Sequence, residues 1–188
     1  EFRIGDFQEH LFRSSIAKQL YDKILNNSTL FQNKNVIFNK ELVCKDINNN
    51  QKIITYENNK QAKTYYRRKN RVQIIDFQIF ECRIALSNEI EIKNSNSNYN
   101  NCFRFKDRIS KFSKDGNWRY DFTKVYTLYI KNSNIDNIEK ILENSKSNYE
   151  FEIEFIGKKI TLEIILNIFN FIIKNNLNNY KHILKEIQ

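Results

Sequence analysis

The chain has no proline, no methionine and only three glycines in 188 residues. This argues against collagen-like repeats, proline-rich linkers and glycine-rich phosphate-binding loops. Histidine occurs twice, as His10 and His182 near opposite ends, which argues against a histidine-built metal site or a Ser-His-Asp arrangement. Cys44, Cys82 and Cys102 are odd in number, widely spaced and contain no C-x-x-C pair. A disulfide framework or zinc ribbon is therefore not expected, and a reducing compartment is favoured. No apolar run reaches the ~18 residues of a membrane-spanning helix. A bound metal would have to be held by carboxylates, which favours Mg2+ or Mn2+ over Zn2+. Without an initiating methionine, the chain is expected to be a piece of a longer protein.

What is present is aromatic bulk and charge. Fifteen Phe and ten Tyr can build a core despite the Asn-rich stretches. Thirty-one Lys and Arg against 22 Asp and Glu give a net charge of +9. That excess suits a polyanionic partner, although solubility alone could account for it. At ~150 residues per domain the length predicts one domain.

The spacing of Leu11, Phe12, Ile16, Leu20, Ile24 and Leu25 predicts a helix over residues 8–25, after a strand end at 1–5. The chain then turns β-rich, with segments around 35–38, 41–47, 51–57, 61–69, 71–80, 81–93, 102–113, 117–131 and 148–156. Residues 94–101 form a polar loop, and Lys114-Asp115-Gly116-Asn117 is a hairpin turn signal. A short helix is expected over 133–143 and a long amphipathic helical segment over 160–187.

Charge alternates along the strands. In Tyr149–Phe155, Glu150, Glu152 and Glu154 share one face, while Tyr149, Phe151, Ile153 and Phe155 share the other. Carboxylates so placed stand ~7 Å apart and repel one another. The pattern recurs with other signs. Arg104, Lys106 and Arg108 alternate with Phe103, Phe105 and Ile109; Arg119, Asp121 and Thr123 alternate with Trp118, Tyr120 and Phe122. Arg83, Ala85, Ser87 and Glu89 share a face, as do Tyr65, Arg67, Lys69 and Arg71, and Glu1 and Arg3. One such strand is ordinary, but five or six need a common cause. An open sheet with one wet face would produce the alternation. So would a barrel that is polar inside, with its aromatic outer face covered by helices. The amphipathic helices and bulky outward residues favour the second. The expected fold is α+β, an antiparallel closed β-barrel with a charged interior, flanked by amphipathic helices, in a single domain over 1–188.

These residues resemble a known family, the metal-dependent RNA 5′-triphosphatases of fungal, protozoan, poxviral and giant-virus mRNA capping systems, or triphosphate tunnel metalloenzymes. Glu150-Phe151-Glu152-Ile153-Glu154 is similar to the family's last glutamate motif, and Arg104, Lys106 and Arg108 to its R-x-K-x-R strand. Arg119-Tyr120-Asp121-Phe122-Thr123-Lys124-Val125 is similar to R-x-D-x-T-x-V. Lys69-Asn70-Arg71 and Arg83-Ile84-Ala85-Leu86-Ser87-Asn88-Glu89 fit the basic strand and the R-I-x-L-x-x-E strand. Glu1-Phe2-Arg3-Ile4-Gly5 resembles the second half of E-x-E-x-[KR]-x-G, whose first glutamate would precede Glu1. On the strand near 51–57, Lys52 is the possible stand-in for the family's arginine.

The resemblance implies hydrolysis of 5′-triphosphate RNA to 5′-diphosphate RNA, the first step of capping, with Mn2+ or Mg2+ as cofactor. It implies Glu1 and Glu154 as metal ligands, with Glu150 and Glu152 holding metal-bound water or orienting basic residues. Arg67, Lys69, Arg83, Arg104, Lys106 and Arg108 would neutralise the triphosphate, Lys106 and Arg108 nearest its γ-phosphate. Glu89 would orient or deprotonate the attacking water; Arg119, Asp121 and Thr123 would brace these groups. Triphosphate-ended RNA is the implied partner, together with a guanylyltransferase domain or subunit, in the cytoplasm, a viral factory or virion, or the nucleus of a cellular system. Hydrolysis of inorganic tripolyphosphate or nucleoside triphosphates on the same fold remains open, as does a non-catalytic nucleic-acid-binding module that stacks bases on Tyr and Phe.

Overall fold

The computed structural model describes residues 1–26, 31, 36–46, 48, 50–93, 102–129, 142–143, 145–161, 163 and 165–171. Its strands are β1 (Phe2–Ile4), β2 (Asp6–Gln8), β3 (Leu11–Arg13), β4 (Ile37–Lys45), β5 (Asn50–Glu57), β6 (Lys60–Phe77), β7 (Cys82–Glu91), β8 (Cys102–Phe112), β9 (Trp118–Tyr129) and β10 (Ser147–Phe155). Eight of them close an antiparallel barrel in the order β1-β10-β9-β8-β4-β5-β6-β7. The short strand β1 makes the closure, pairing with β10 on one side and β7 on the other.

The alternation read from the sequence becomes the barrel's two faces. Across the ladder, Asp76, Arg83, Arg3, Glu152, Asp121 and Ser110 are consecutive neighbours, so they share the inner face. The apolar partners point outward. Phe2, Ile4, Trp118, Tyr120, Phe122, Phe151 and Ile153 are buried there against Tyr21 and Ile24 of α1 (Lys18–Leu25), Phe31, and Ile168 in the helical turns at 165–171. Tyr21 meets Phe122 edge-on with centroids 5.7 Å apart, and Phe31 does the same at 5.7 Å. A second cluster of Leu42, Phe105 and Leu128 is packed by Leu142. The main hydrophobic core therefore wraps the outside of the barrel and leaves its bore mostly to polar and charged groups, with Val43 and its ladder partner Ile53 as inward apolar residues.

Several elements differ from expectation. The helix begins at Lys18, not near residue 8; residues 6–13 instead form the β2–β3 hairpin. Glu9 and His10 both take positive φ, 49° and 67°, as a two-residue turn requires, and no helix tolerates that. The hairpin interrupts the strand that begins as β1, since Ile16 returns to bridge Tyr149 on β10. Segments 35–38 and 41–47 are one strand, β4; segments 61–69 and 71–80 are one 18-residue strand, β6. A bulge between Arg71 and Gln73 shifts the register of β6, so Arg67, Lys69 and Arg71 face inward before it and Asp76 after it. The Lys114–Asn117 turn is present, with Gly116 at φ 71°. Residues 94–101 lie outside the described residues, as does most of 133–143, of which 142–143 are helical. Of the long terminal segment, 163 and 165–171 are helical, and 172–187 lies outside the described residues.

Gly5 is where the chain leaves the barrel for the hairpin, and a Cβ there would stand 1.9 Å from the carbonyl oxygen of Arg13. Backbone cannot yield as a flexible side chain can. Gly5→Ala is expected to destabilise the domain by at least the ~1–3 kcal/mol of an overpacked core, read as a lower midpoint of thermal unfolding. An unchanged midpoint would contradict the close hairpin approach.

Candidate active site

Inside the barrel, Arg3, Val43, Lys45, Gln51, Arg67 and Lys69 join Arg104 and Lys106 around a cavity of about 680 Å3. Mutual repulsion of so many cations is offset by carboxylates on the neighbouring strands. Arg3 bonds Glu1, and its Nη2 lies 2.9 Å from Glu152 Oε1. Lys69 reaches Glu1 at 3.2 Å and Glu89 at 2.8 Å. Arg67 donates to Gln51 at 2.8 Å and Glu89 at 2.7 Å. Arg104 donates to Glu150 at 2.7 Å, and Arg119 bonds both Asp121 and Glu154.

The pairing sets the charge states. Burial works against the Glu1 carboxylate, but Arg3 and Lys69 outweigh it and hold Glu1 well below the ordinary carboxylate range. Burial likewise opposes the Lys69 ammonium, and Glu1 and Glu89 more than reverse it. Glu89 is partly desolvated, yet Lys69 and Arg67 hold it below its usual value. Lys106 is different. Among the described residues it has no hydrogen-bond or ion-pair partner, and burial pushes its ammonium down to about 8, with only the more distant Glu152 and Glu150 pulling it back.

The expected site residues divide into groups. Glu1, Arg67, Lys69, Arg104, Lys106, Arg108, Glu150 and Glu152 line the bore or bond residues that do. Asp121 is almost wholly buried and takes bonds from Ser110 at 2.6 Å and Arg119 at 3.0 Å, with Arg108 at 3.8 Å. Thr123 accepts from Arg108 at 3.4 Å. Asp121 and Thr123 thus hold the direction of two arginines. Arg83 stands apart from the main cavity. Its guanidinium is bonded twice to Asp76, at 2.6 and 2.9 Å, and lies 4.6 Å over the ring of Phe12 on the inserted hairpin. Lys52 does not substitute for a tunnel arginine. It is paired with Tyr66 and Cys44 on the outer face, and Gln51 takes the inner position.

Sequence reasoning missed several inner residues, Gln51 among them. Glu41 is buried, accepting from Asn39 at 2.9 Å and Tyr65 at 3.4 Å. Its alternation with Val43 and Lys45 was the available signal. Ser14 donates to Glu150 at 2.7 Å, and only the hairpin insertion brings it there. Asp76 needed the β6 bulge. Lys45, across the ladder from Gln51, was hidden at a strand end.

A metal site can be tested against this arrangement. Glu1 lies one step beyond the Phe2–Ile153 pair, placing it beside Glu154 on the inner face, with Glu152 next along β10. These are oxygen donors of the kind Mg2+ and Mn2+ take. Glu152 Oε1 is buried without a hydrogen bond; its Arg3 neighbour is close enough for attraction but not aligned for a bond. Glu150 lies four residues from Glu154, ~13 Å along the strand, too far to share one ion with it. Among the described residues no three such side chains gather around one point, because Arg3, Lys69 and Arg119 occupy the carboxylates. The donors fit a hard divalent ion in kind, and Glu1, Glu152 and Glu154 lie along one seam, β1–β10, while being engaged by cations there.

Lys106 supplies a direct test of the cavity's electrostatics. Lysines labelled at the ε-carbon are expected to show one resonance titrating near pH 8, against the ~10.4 of a solvated lysine, and Lys106→Arg should remove it. Metal-free affinity for tripolyphosphate should be full below that pH and fall as the ammonium is lost above it, while Lys106→Arg holds its affinity. Titration of every lysine above pH 10 would contradict the buried position.

No family model matches the chain, and no curated protein matches it. Solved structures do. The Mimivirus capping enzyme triphosphatase, in a monoclinic crystal, superposes with a TM-score of 0.63 at 19% identity over 85% of this chain and 86% of that one. Its triclinic form gives 0.60 at 18% identity, covering 86% of each. The S. pombe Pct1 RNA triphosphatase in complex with the Spt5 CTD gives 0.51 at 16% identity over 82% of this chain and 61% of that one. At these identities the likeness concerns the path of the backbone: the chain has the closed-barrel tunnel fold of these RNA triphosphatases.

Proposed function

We propose that the chain is an RNA 5′-triphosphatase. It adds water to the γ-phosphorus of 5′-triphosphate RNA and breaks the bond to the β-phosphate oxygen, giving 5′-diphosphate RNA and inorganic phosphate. The observation that carries this reading is the unpaired Lys106 in a closed bore, ringed by arginines whose own charges are balanced by glutamates. A polyanion entering this bore finds donors already oriented, and positioning with charge stabilisation is what phosphoryl transfer chiefly needs. The tunnel fold shared with RNA triphosphatases supports the same reading.

Lys106 and Arg108 meet the γ-phosphate, with Arg108 aimed by Asp121 and Thr123. Arg104, steadied by Glu150, and Arg67, Lys69 and Arg3 neutralise the remaining oxygens. Arg83, engaged by Asp76, acts at the edge of the site. Arg119 positions Asp121 and Glu154. Glu89, tied to Arg67 and Lys69 with its carboxylate held down, is suited to accept a hydrogen bond from the attacking water rather than take its proton at neutral pH. Glu1, Glu152 and Glu154 would hold Mn2+ or Mg2+; when bound, the ion supplies further neutralisation of the phosphoryl oxygens. The diphosphate end so produced is the substrate of the guanylyl transfer that follows in capping.

The test is release of phosphate from γ-labelled triphosphate-ended RNA. Release is expected with Mn2+ or Mg2+ and not with chelator. Lys106→Ala should lower kcat by ~10²–10³-fold, the scale of a lost transition-state donor, and Glu152→Gln should abolish metal dependence along with activity while the far-ultraviolet spectrum stays that of the parent. Full activity in either variant would refute the assignment. Binding of RNA without phosphate release would instead make the chain a nucleic-acid-binding module, and preference for ATP or tripolyphosphate would redefine its substrate.

A further inference from the structure

The cavity is longer than the group it is proposed to hold. Along β8 its lining runs from Lys106 through Arg104 to Cys102, the first residue of the strand, four residues or ~13 Å. A triphosphate reaching Lys106 fills the inner part of that length and leaves the outer part open.

That outer part is formed by the end of β4, the start of β5 and the bulge of β6, and it is basic. Lys45 ends β4, Gln51 follows at the start of β5, and Arg71 stands at the β6 bulge; all three line the cavity. Lys45 and Arg71 have no hydrogen-bond or ion-pair partner among the described residues, whereas Arg3, Arg67, Lys69 and Arg104 around the same cavity are all paired with a carboxylate. Both are solvent-exposed, so they meet a ligand before the paired cations do. This outer part is also stiff. Asp46 Oδ1 accepts the backbone N–H groups of Asn48 and Asn50 at 2.8 Å each, Asp46 N–H donates to the Asn50 carbonyl at 3.0 Å, and Arg68 donates to the Asn50 side chain at 2.9 Å. Lys45 is thus fixed at the end of a braced turn.

Two unpaired cations at the mouth, past the space a triphosphate occupies, face where the next phosphate of a polynucleotide must pass. We infer that Lys45 and Arg71 form a second anion subsite that takes the internucleotide phosphate following the 5′-triphosphate, and so select RNA ends over free triphosphates. Partial desolvation and then Arg104, Arg71, Arg3 and Lys69 hold the Lys45 ammonium below its ordinary value, so cationic repulsion reaches it despite the carboxylates paired with three of those residues. The inference rests on the triphosphatase reading and deepens it.

The experiment compares Lys45→Ala and Arg71→Ala with the parent on three ligands: a triphosphate-ended decanucleotide RNA, GTP and inorganic tripolyphosphate. KM is measured in turnover and Kd in the absence of metal. Each substitution is expected to raise KM and Kd for the RNA by about tenfold, with kcat and the values for GTP and tripolyphosphate unchanged. The slope of log Kd for RNA against log salt should fall by ~0.7 for each lost contact to a single-stranded backbone phosphate. Equal weakening for all three ligands would overturn the inference by placing the two residues at the triphosphate itself, and no change for the RNA would overturn it outright. Absence of turnover with every substrate would defeat the triphosphatase reading. The metal-free Kd series would still decide the subsite.

Discussion

Charges confined inside a closed sheet must find opposite charges there, and most of this structure follows from that constraint. An isolated ion moved from water into a protein interior loses several kcal/mol of solvation. The bore answers this locally, strand by strand: Arg3 against Glu152, Lys69 against Glu1 and Glu89, Arg104 against Glu150. Remove the glutamates and the arginines repel across the bore; remove the cations and the acidic face of β10 repels itself. The short strand β1 carries Glu1 and Arg3 into the seam between β7 and β10, so it closes both the hydrogen-bond ladder and the charge balance.

With the inner face given to charge, the apolar faces must be covered from outside. That is why an aromatic-rich chain places its rings between barrel and helices, Tyr21, Phe31, Phe122 and Phe151 among them. The barrel is thereby clamped from outside. Lys106 is a deeply buried cation without a direct counterion among the described residues, which makes it a point where an incoming anion gains much.

The alternation itself was legible in the sequence, because a period of two assigns a face to every residue without knowledge of neighbours. It placed Arg104, Lys106, Arg108, Asp121 and Glu152 inside correctly. What it could not carry was any break in the period. The bulge after Arg71 reverses the parity of β6, so Asp76, embedded in an apolar run, turns inward to hold Arg83. The hairpin at 6–13 was concealed because Leu11, Phe12 and Ile16 fall at helical spacing by coincidence, and the positive φ of Glu9 and His10 has no glycine to announce it. Lys52 misled for the opposite reason: a basic residue in the right strand, one position out of phase, lies on the wrong face. The pairing of each glutamate depends on contacts across three strands, which no single-strand pattern contains.

On the proposed function the triphosphate enters the bore and binds no outer surface. A crystal structure of the protein with tripolyphosphate measures this directly. The anion is expected inside the barrel, in contact with Lys106 and within reach of Arg3 and Arg104. Tripolyphosphate bound only on the outer face, with the interior pairs of Arg3 and Glu152 undisturbed and Lys106 untouched, would contradict it.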